Sequence, residues 1–325
     1  MAKRVAVLMG GISAEREVSL SSGAGCLKAL RAGGFDAYPI DVTDDIAALV
    51  KALTPPPDCV FNMLHGRFGE DGCIQGLLEL MGVPYTGSGV LSSALGMDKR
   101  VSRAVLEAAG LAMPPAMLIH RAGAPKGDPM PRPFVVKPVA EGSSVGVRVL
   151  FEGDNEPAFD AETWAFGDEV YVERYIPGRE IQAAVIGEGE GASALGAIEI
   201  RTRRKFYDYV AKYTPGESEH LMPAPIHPDG YAEVLRVAER AHRALSCRGV
   251  SRVDLRYDDT GGEPGKVYVL EVNTQPGMTP TSLVPEIAAY HRVSYVALVK
   301  WMVELATCDV PASIRRPVRH KGDAA

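Results

Sequence analysis

The stretch that most constrains this chain is 251–285, SRVDLRYDDTGGEPGKVYVLEVNTQPGMTPTSLVP. It predicts two strands joined by a polar, glycine-rich turn. Successive side chains of a strand point to opposite faces. Arg252 and Asp254 therefore share one face, and Val253 and Leu255 the other. In the second strand Glu271 and Asn273 share a face, with Leu270 and Val272 opposite. Strict alternation also puts Val267 and Val269 on the Glu271 face, so an apolar strand ends in a carboxylate and an amide. The hairpin thus brings Asp254, Glu271 and Asn273 together, with Arg252 beside them. Oxygen ligands of this kind suit a hard cation such as Mg²⁺. Taken alone, the same residues also read as a strand end with ordinary solvated charges.

The rest of the chain bounds the choice. Its 325 residues are enough for two or three domains with real cores. A net charge of −6 argues against a general nucleic-acid binder, whose affinity comes largely from a basic surface. No apolar run approaches the ~20 residues that cross a bilayer, and the start, MAKRVAVLMGG, reads as a buried strand and turn rather than a signal peptide. The five scattered cysteines form no Cys-x-x-Cys pair, which fits a reducing, cytoplasmic setting.

In chain order, strands at Lys3–Met9, Ala37–Asp41, Cys59–Leu64 and Pro84–Gly87 alternate with helices at Val18–Arg31, Ile46–Leu53 and Ile74–Met81. That pattern predicts a parallel α/β sheet with ligands at the strand C-terminal ends. Two loops, GGISAERE and HGRFGEDG, follow strands directly. The first carries Glu15 and Glu17, which repel phosphate and welcome an ammonium group. An acidic first helical turn that complements the helix dipole is the equal alternative. A helix spans roughly 94–109. Then Phe134–Val136 ends in Lys137, and the loop Glu141–Gly146 holds Ser143 and Ser144, able either to cover phosphates or to serve as a plain hairpin turn. Strands at Glu169–Ile176, Arg179–Gly187 and Ala192–Ile200 predict an antiparallel set. A long polar loop with Lys212 and Tyr213 follows, its length that of a lid. Asp229–Leu245 reads as an amphipathic helix. After the hairpin, Ser282 caps a helix reaching about Ala306, whose start can hold a carboxylate.

Placed in order, GGISAEREVSLSSG, HGRFGEDGCIQGLLELMGVPYTGSGV, SALGMDK, VVKPVAEGSSVGV, FYDYVAKY, RVDL and LEVNTQPGMTPTSLVP resemble the D-alanine–D-alanine ligase family, from about Arg4 to about Leu305. The resemblance implies an ATP-grasp fold, α/β at the start and α+β in the later domains. It implies an N-terminal domain over 1–91, a central domain over 92–178 and a C-terminal domain over 179–308 with a lid near 201–222; the tail over 309–325 lies outside the resemblance and its basic, polar composition predicts mobility. It implies ATP as substrate, two Mg²⁺ that Mn²⁺ can replace, two D-alanine molecules, a role in peptidoglycan precursor synthesis and a homodimer through the N-terminal region, with no membrane or nucleic-acid partner.

By the same resemblance, Asp254, Glu271 and Asn273 hold the metal. Lys99, Lys137, Ser144 and Lys212 meet phosphates. Glu173, Arg174, Tyr175 and Ile176 line the adenine pocket, and Glu180 takes the ribose. Glu15 meets the first D-alanine's ammonium and is linked through Ser143 to Tyr213. Arg252 and the Gly277 N–H form the oxyanion site. His65, Ser282 and Leu283 face the second D-alanine. Relatives that make D-alanyl-D-lactate lack the lid tyrosine, so Tyr213 implies a dipeptide ligase. The alternatives are another ATP-grasp carboxylate–amine ligase, or a nucleotide-binding regulator without catalysis, which would be expected to lack a metal ligand or Arg252.

Overall fold

A computed structural model describes residues 2–139, 146–159, 164, 167–203, 216–279 and 282–310. The N-terminal sheet is parallel, in the order β2-β1-β3: β1 is Arg4–Gly10, β2 Asp36–Val42 and β3 Cys59–Asn62. Apart from Arg4, every residue of β1 is buried, as expected for a parallel strand covered on both faces. Helices α1 (Arg16–Ala32), α2 (Ile46–Ala52) and α3 (Cys73–Met81) provide the crossovers. The expected strand at 84–87 reduces to isolated bridges at Tyr85, parallel to Val60 and antiparallel to Thr307.

The single helix expected near 94–109 is two, α4 (Val90–Met97) and α5 (Lys99–Ala108). The break is chemical. Asp98 is extended, and its carboxylate accepts the N–H groups of Arg100 and Val101, so it starts a new helix as an N-cap. Lys99 thereby becomes the first residue of α5.

Two antiparallel sheets follow. The smaller has the order β4-β7-β5-β6, with β4 Ala116–His120, β5 Phe134–Pro138, β6 Arg148–Leu150 and β7 Glu169–Arg174. Its core is small and its own, built on Ile119, Phe134, Val136, Leu150, Val170 and Val172. The larger has the order β10-β9-β8-β11-β12, with β8 Arg179–Glu188, β9 Ser193–Thr202, β10 Ser218–Leu221, β11 Arg248–Asp258 and β12 Lys266–Asn273. Strand β10 was not expected. SEHL has no apolar alternation, and only its ladder with β9 holds it extended. Helix α6 (Pro228–Ala244) covers one face of the larger sheet. Helices α7 (Leu283–Tyr290) and α8 (Tyr295–Glu304) replace the single C-terminal helix expected; Ser294 caps α8 by accepting the Ala297 N–H.

One register detail corrects the alternation argument. Asp254 pairs with Glu271, but Leu255 pairs with Val269, so Leu270 is an extra residue in β12. This β-bulge flips the remainder of the strand. Val267, Val269 and Val272 all enter the core beneath α6, whereas Leu270 and Glu271, neighbours in sequence, both line the cavity on the other face. Glu271 therefore does not share a face with Val267 and Val269.

The parallel sheet and the larger antiparallel sheet share one core. Val5, Val7 and Phe61 of the former cluster with Ala184, Ile198 and Val250 of the latter, and with Ile287 and Val299 of α7 and α8. No described helix is long and apolar enough to cross a membrane.

Candidate active site

The hairpin β11–β12 sets Arg252 opposite Asn273 and Asp254 opposite Glu271. Directly opposed residues of an antiparallel pair project from the same face, so all four crowd one end of the sheet. Asp254 is buried. The Arg252 guanidinium donates to both its oxygens, Nε to Oδ1 at 2.7 Å and Nη2 to Oδ2 at 2.9 Å. On the neighbouring strand Gln182 lies opposite Asp254. Its Oε1 is buried without a hydrogen-bond partner among the described residues. An orphaned amide oxygen costs free energy unless something supplies positive charge or a donor. Two carboxylates, the Asn273 amide and this oxygen make an all-oxygen donor set, which fits a hard divalent cation. Among the described residues, no three of His, Cys, Asp and Glu converge on a metal position; here the third oxygen comes from an amide.

The same face opens into a cavity of about 500 Å³ between the two antiparallel sheets. Lys137 and Glu173 stand on the wall formed by the smaller sheet. Both are buried, and Lys137 Nζ lies 2.7 Å from Glu173 Oε2. Arg103 reaches the other Glu173 oxygen at 3.7 Å. A buried ion pair holds its geometry because breaking it strands a charge. Arg174, Tyr175, Ile176 and Glu180 line the cavity where β7 passes into β8. Lys99, at the start of α5, is tied by its backbone N–H to the Val139 carbonyl just past β5.

The acidic-loop residues come from the other side. Glu15 is buried at the N-terminus of α1. A Cβ at Gly66, which has φ +67, would lie 3.4 Å from its Oε1, so the loop after β3 passes against this carboxylate. His65 is buried, its ring is held at the Gln275 backbone, and its Nε2 has no partner among the described residues. Burial, with Arg252 nearby, lowers its pKa to about 4 and keeps the ring neutral. Gln275 donates to the Asn62 carbonyl at 2.7 Å, drawing the loop after β12 onto the end of β3.

The Ser282 hydroxyl does not cap α7. It accepts the Thr279 N–H at 2.9 Å and lies close to Gly277, where a Cβ would come within 3.2 Å of it. The Leu283 side chain is buried in the shared core, leaving its backbone to serve a site. Ser143, Ser144, Lys212 and Tyr213 lie outside the described residues.

Two residues here were not anticipated. Glu70 accepts the Gly66 N–H at 2.9 Å. Burial of its carboxyl, the charges of Glu15 and Glu271, and a smaller opposing pull from Arg252 push its pKa up to about 8. Arg256 bonds the turn between β7 and β8. Their signals were the first acid of HGRFGEDG and the position two past Asp254, on the same face.

Two antiparallel sheets facing each other across one cavity make this an ATP-grasp fold, the class of enzymes that activate a carboxylate with ATP. Residues 48–88 match the D-ala D-ala ligase N-terminus family and residues 105–304 the D-ala D-ala ligase C-terminus family. Among curated relatives, the D-alanine–D-alanine ligase of Paramagnetospirillum magneticum is 57% identical, covering 95% of this chain and 100% of its own. That of Granulibacter bethesdensis is 52% identical, covering 94% and 98%. Among solved structures, the Bacillus anthracis D-alanine–D-alanine ligase complexed with ATP superposes with a TM-score of 0.77 at 30% identity, covering 94% of this chain and 97% of its own. The VanG D-Ala:D-Ser ligase of Enterococcus faecalis gives 0.76 at 29%, covering 94% and 99%. The chain belongs to the D-alanine–D-alanine ligase family.

Proposed function

We propose that this chain joins two D-alanines into D-alanyl-D-alanine at the expense of ATP, supplying peptidoglycan precursor synthesis in the cytoplasm. The observation that carries this is the meeting of an ammonium-type acidic loop, an oxygen donor set and a lysine-walled cavity at one end of the hairpin β11–β12. The first D-alanine docks its ammonium on Glu15. Its carboxylate oxygen attacks the γ-phosphorus of ATP, the bond to the ADP oxygen breaks, and D-alanyl phosphate and ADP form. The second D-alanine, its amine deprotonated, attacks the acyl carbon, and the tetrahedral adduct expels phosphate.

Each residue has a role in this scheme. Lys137 and Lys99 neutralise phosphate charge, with Ser144 and Lys212 closing over it. Glu173, Arg174, Tyr175 and Ile176 surround adenine, and Glu180 faces the ribose. Arg252 and the Gly277 N–H stabilise the oxyanion. The Ser282 hydroxyl and the Leu283 N–H receive the second carboxylate at the start of α7, with the neutral His65 beside it. Ser143 links Glu15 to Tyr213. Asp254, Glu271 and Asn273 would hold two Mg²⁺, or Mn²⁺, which supply charge stabilisation to the phosphates when bound. The protein acts as a homodimer through its N-terminal region.

A second reading keeps the chemistry and changes the acceptor, because the D-Ala:D-Ser ligase above fits this fold about as well as the D-Ala–D-Ala ligase does. The test is phosphate release from ATP and Mg²⁺ with D-alanine, L-alanine, D-serine, D-alanine plus D-serine, or no amino acid. Release with D-alanine alone, and a dipeptide product, is expected. Release with D-alanine only when D-serine is also present establishes the second reading. No D-alanine-dependent release refutes both.

A further inference from the structure

Arg256 lies two residues beyond Asp254 on β11, with only 12% of its side chain exposed. Its guanidinium reaches across to the connector between β7 and β8. Nε donates to the Ile176 carbonyl at 3.0 Å, and Nη2 donates to the Gly178 carbonyl at 2.9 Å and to the Tyr175 hydroxyl at 3.3 Å. The same group lies over the Tyr175 ring, 5.2 Å from its centroid, and that ring meets Phe151 edge to face at 5.5 Å. Nη1 stands 3.8 Å from Glu180. Gly178 has φ +87, and a Cβ there would collide with the Tyr257 carbonyl, so the connector is pressed directly onto β11. A lysine in this place could reach one carbonyl. Only the planar fork of arginine holds two carbonyls while stacking on a ring.

We infer that Arg256 is a positioning residue for the nucleotide. It pins the connector 175–178 to the strand that carries Asp254. The backbone facing the base and the Glu180 carboxylate are thereby set before the nucleotide arrives, so binding does not have to order them. This rests on the nucleotide site proposed above. Its particular consequence is that Arg256 acts on the adenosine end of the ligand and not on the phosphate end, which Lys137 and Lys99 serve.

The test compares affinities for Mg·ADP and Mg·pyrophosphate by calorimetry in wild type, Arg256→Met and Arg256→Lys, alongside thermal melts. Arg256→Met should weaken ADP about tenfold or more, the scale of losing one or two charge-assisted hydrogen bonds. It should leave pyrophosphate within about twofold, and Arg256→Lys should fall between. In turnover, KM for ATP should rise by more than kcat falls. Parallel loss of ADP and pyrophosphate affinity, or no change in either, overturns the inference. If Arg256→Met does not fold, the ADP-to-pyrophosphate ratio in Arg256→Lys decides by the same criterion. Wild-type protein that binds neither ligand would refute the nucleotide site itself, before Arg256 is at issue.

Discussion

The two antiparallel sheets that enclose the cavity are built to different standards. The larger is fused to the parallel sheet through a core that runs from Val5 and Phe61 to Ile198, Ile287 and Val299. The smaller packs around a separate cluster which, among the described residues, holds seven buried apolar side chains, Phe134 and Val172 among them. Asp254, Glu271 and Arg252, to which the proposed scheme gives the reacting atoms, stand on the fused body. The smaller sheet supplies Lys137 and Glu173, which the same scheme gives to the nucleotide. The contrast places the proposed reacting groups on the body that shares the larger core, and leaves the smaller sheet as the part expected to yield first. Segments with few buried contacts open first.

Five experiments would sharpen or break this contrast. The largest effect should come from the fused body's chemistry. Glu271→Gln should cut kcat by at least about a hundredfold while the melting temperature barely moves; full activity in this variant would remove Glu271 from the site. Next come the cores. Ile287→Ala should lower global stability by about 2–5 kcal/mol in urea unfolding, with KM for ATP little changed. Phe134→Ala should lose about 3–5 kcal/mol, read as early hydrogen exchange confined to 116–174 and a raised KM for ATP. Equal exchange across both bodies in Phe134→Ala would show them to be one cooperative unit.

The smaller effects are electrostatic. His65 and His242 both belong to the fused body, and burial lowers each pKa from 6.5 to about 4. Between those values the unfolded chain takes up protons that the folded one refuses. Stability should therefore hold above about pH 6.5 and fall as pH drops toward 4, with a slope approaching about 1.4 kcal/mol per pH unit for each histidine. His242→Asn should remove roughly half of that slope, and an unchanged pH profile would show His242 to be protonated in the fold. Glu70 runs the other way. Its pKa rises from 4.5 to about 8, so its contribution is present below about pH 4.5 and lost as pH climbs through 8. Glu70→Gln should be more stable than wild type at pH 8 and lose that advantage at pH 5.

Much of the molecule was legible from sequence because its signals are local. Asp254, Glu271 and Asn273 could be grouped by strand geometry, and the parallel sheet followed from alternating elements. What escaped was set by distant partners, or by a side chain's choice among several N–H groups within reach. Lys137 and Glu173 pair across non-consecutive residues of β5 and β7. Strand β10 exists only because β9 pairs with it. Asp98 looked like one more helical residue until its carboxylate took the N–H groups of the next turn. The Ser282 hydroxyl turned from its own helix toward Thr279. Arg256 was passed over because the connector it holds lies 80 residues earlier.

The bulge at Leu270 gives the hairpin an unequal tolerance to changes in length. The turn between β11 and β12 runs through exposed residues such as Thr260 and Gly262 and can gain or lose a residue without disturbing either strand's facing. Loss of Leu270 itself would restore strict alternation with the valines still in the core and Glu271 still on the cavity face, whereas loss of Val272 would place Asn273 directly after Glu271 and turn one of the two into the core beneath α6. The ligand set is thus protected by a count of residues as well as by their identity. Lineages can be expected to vary the turn freely while the spacing from Glu271 to Asn273 stays fixed.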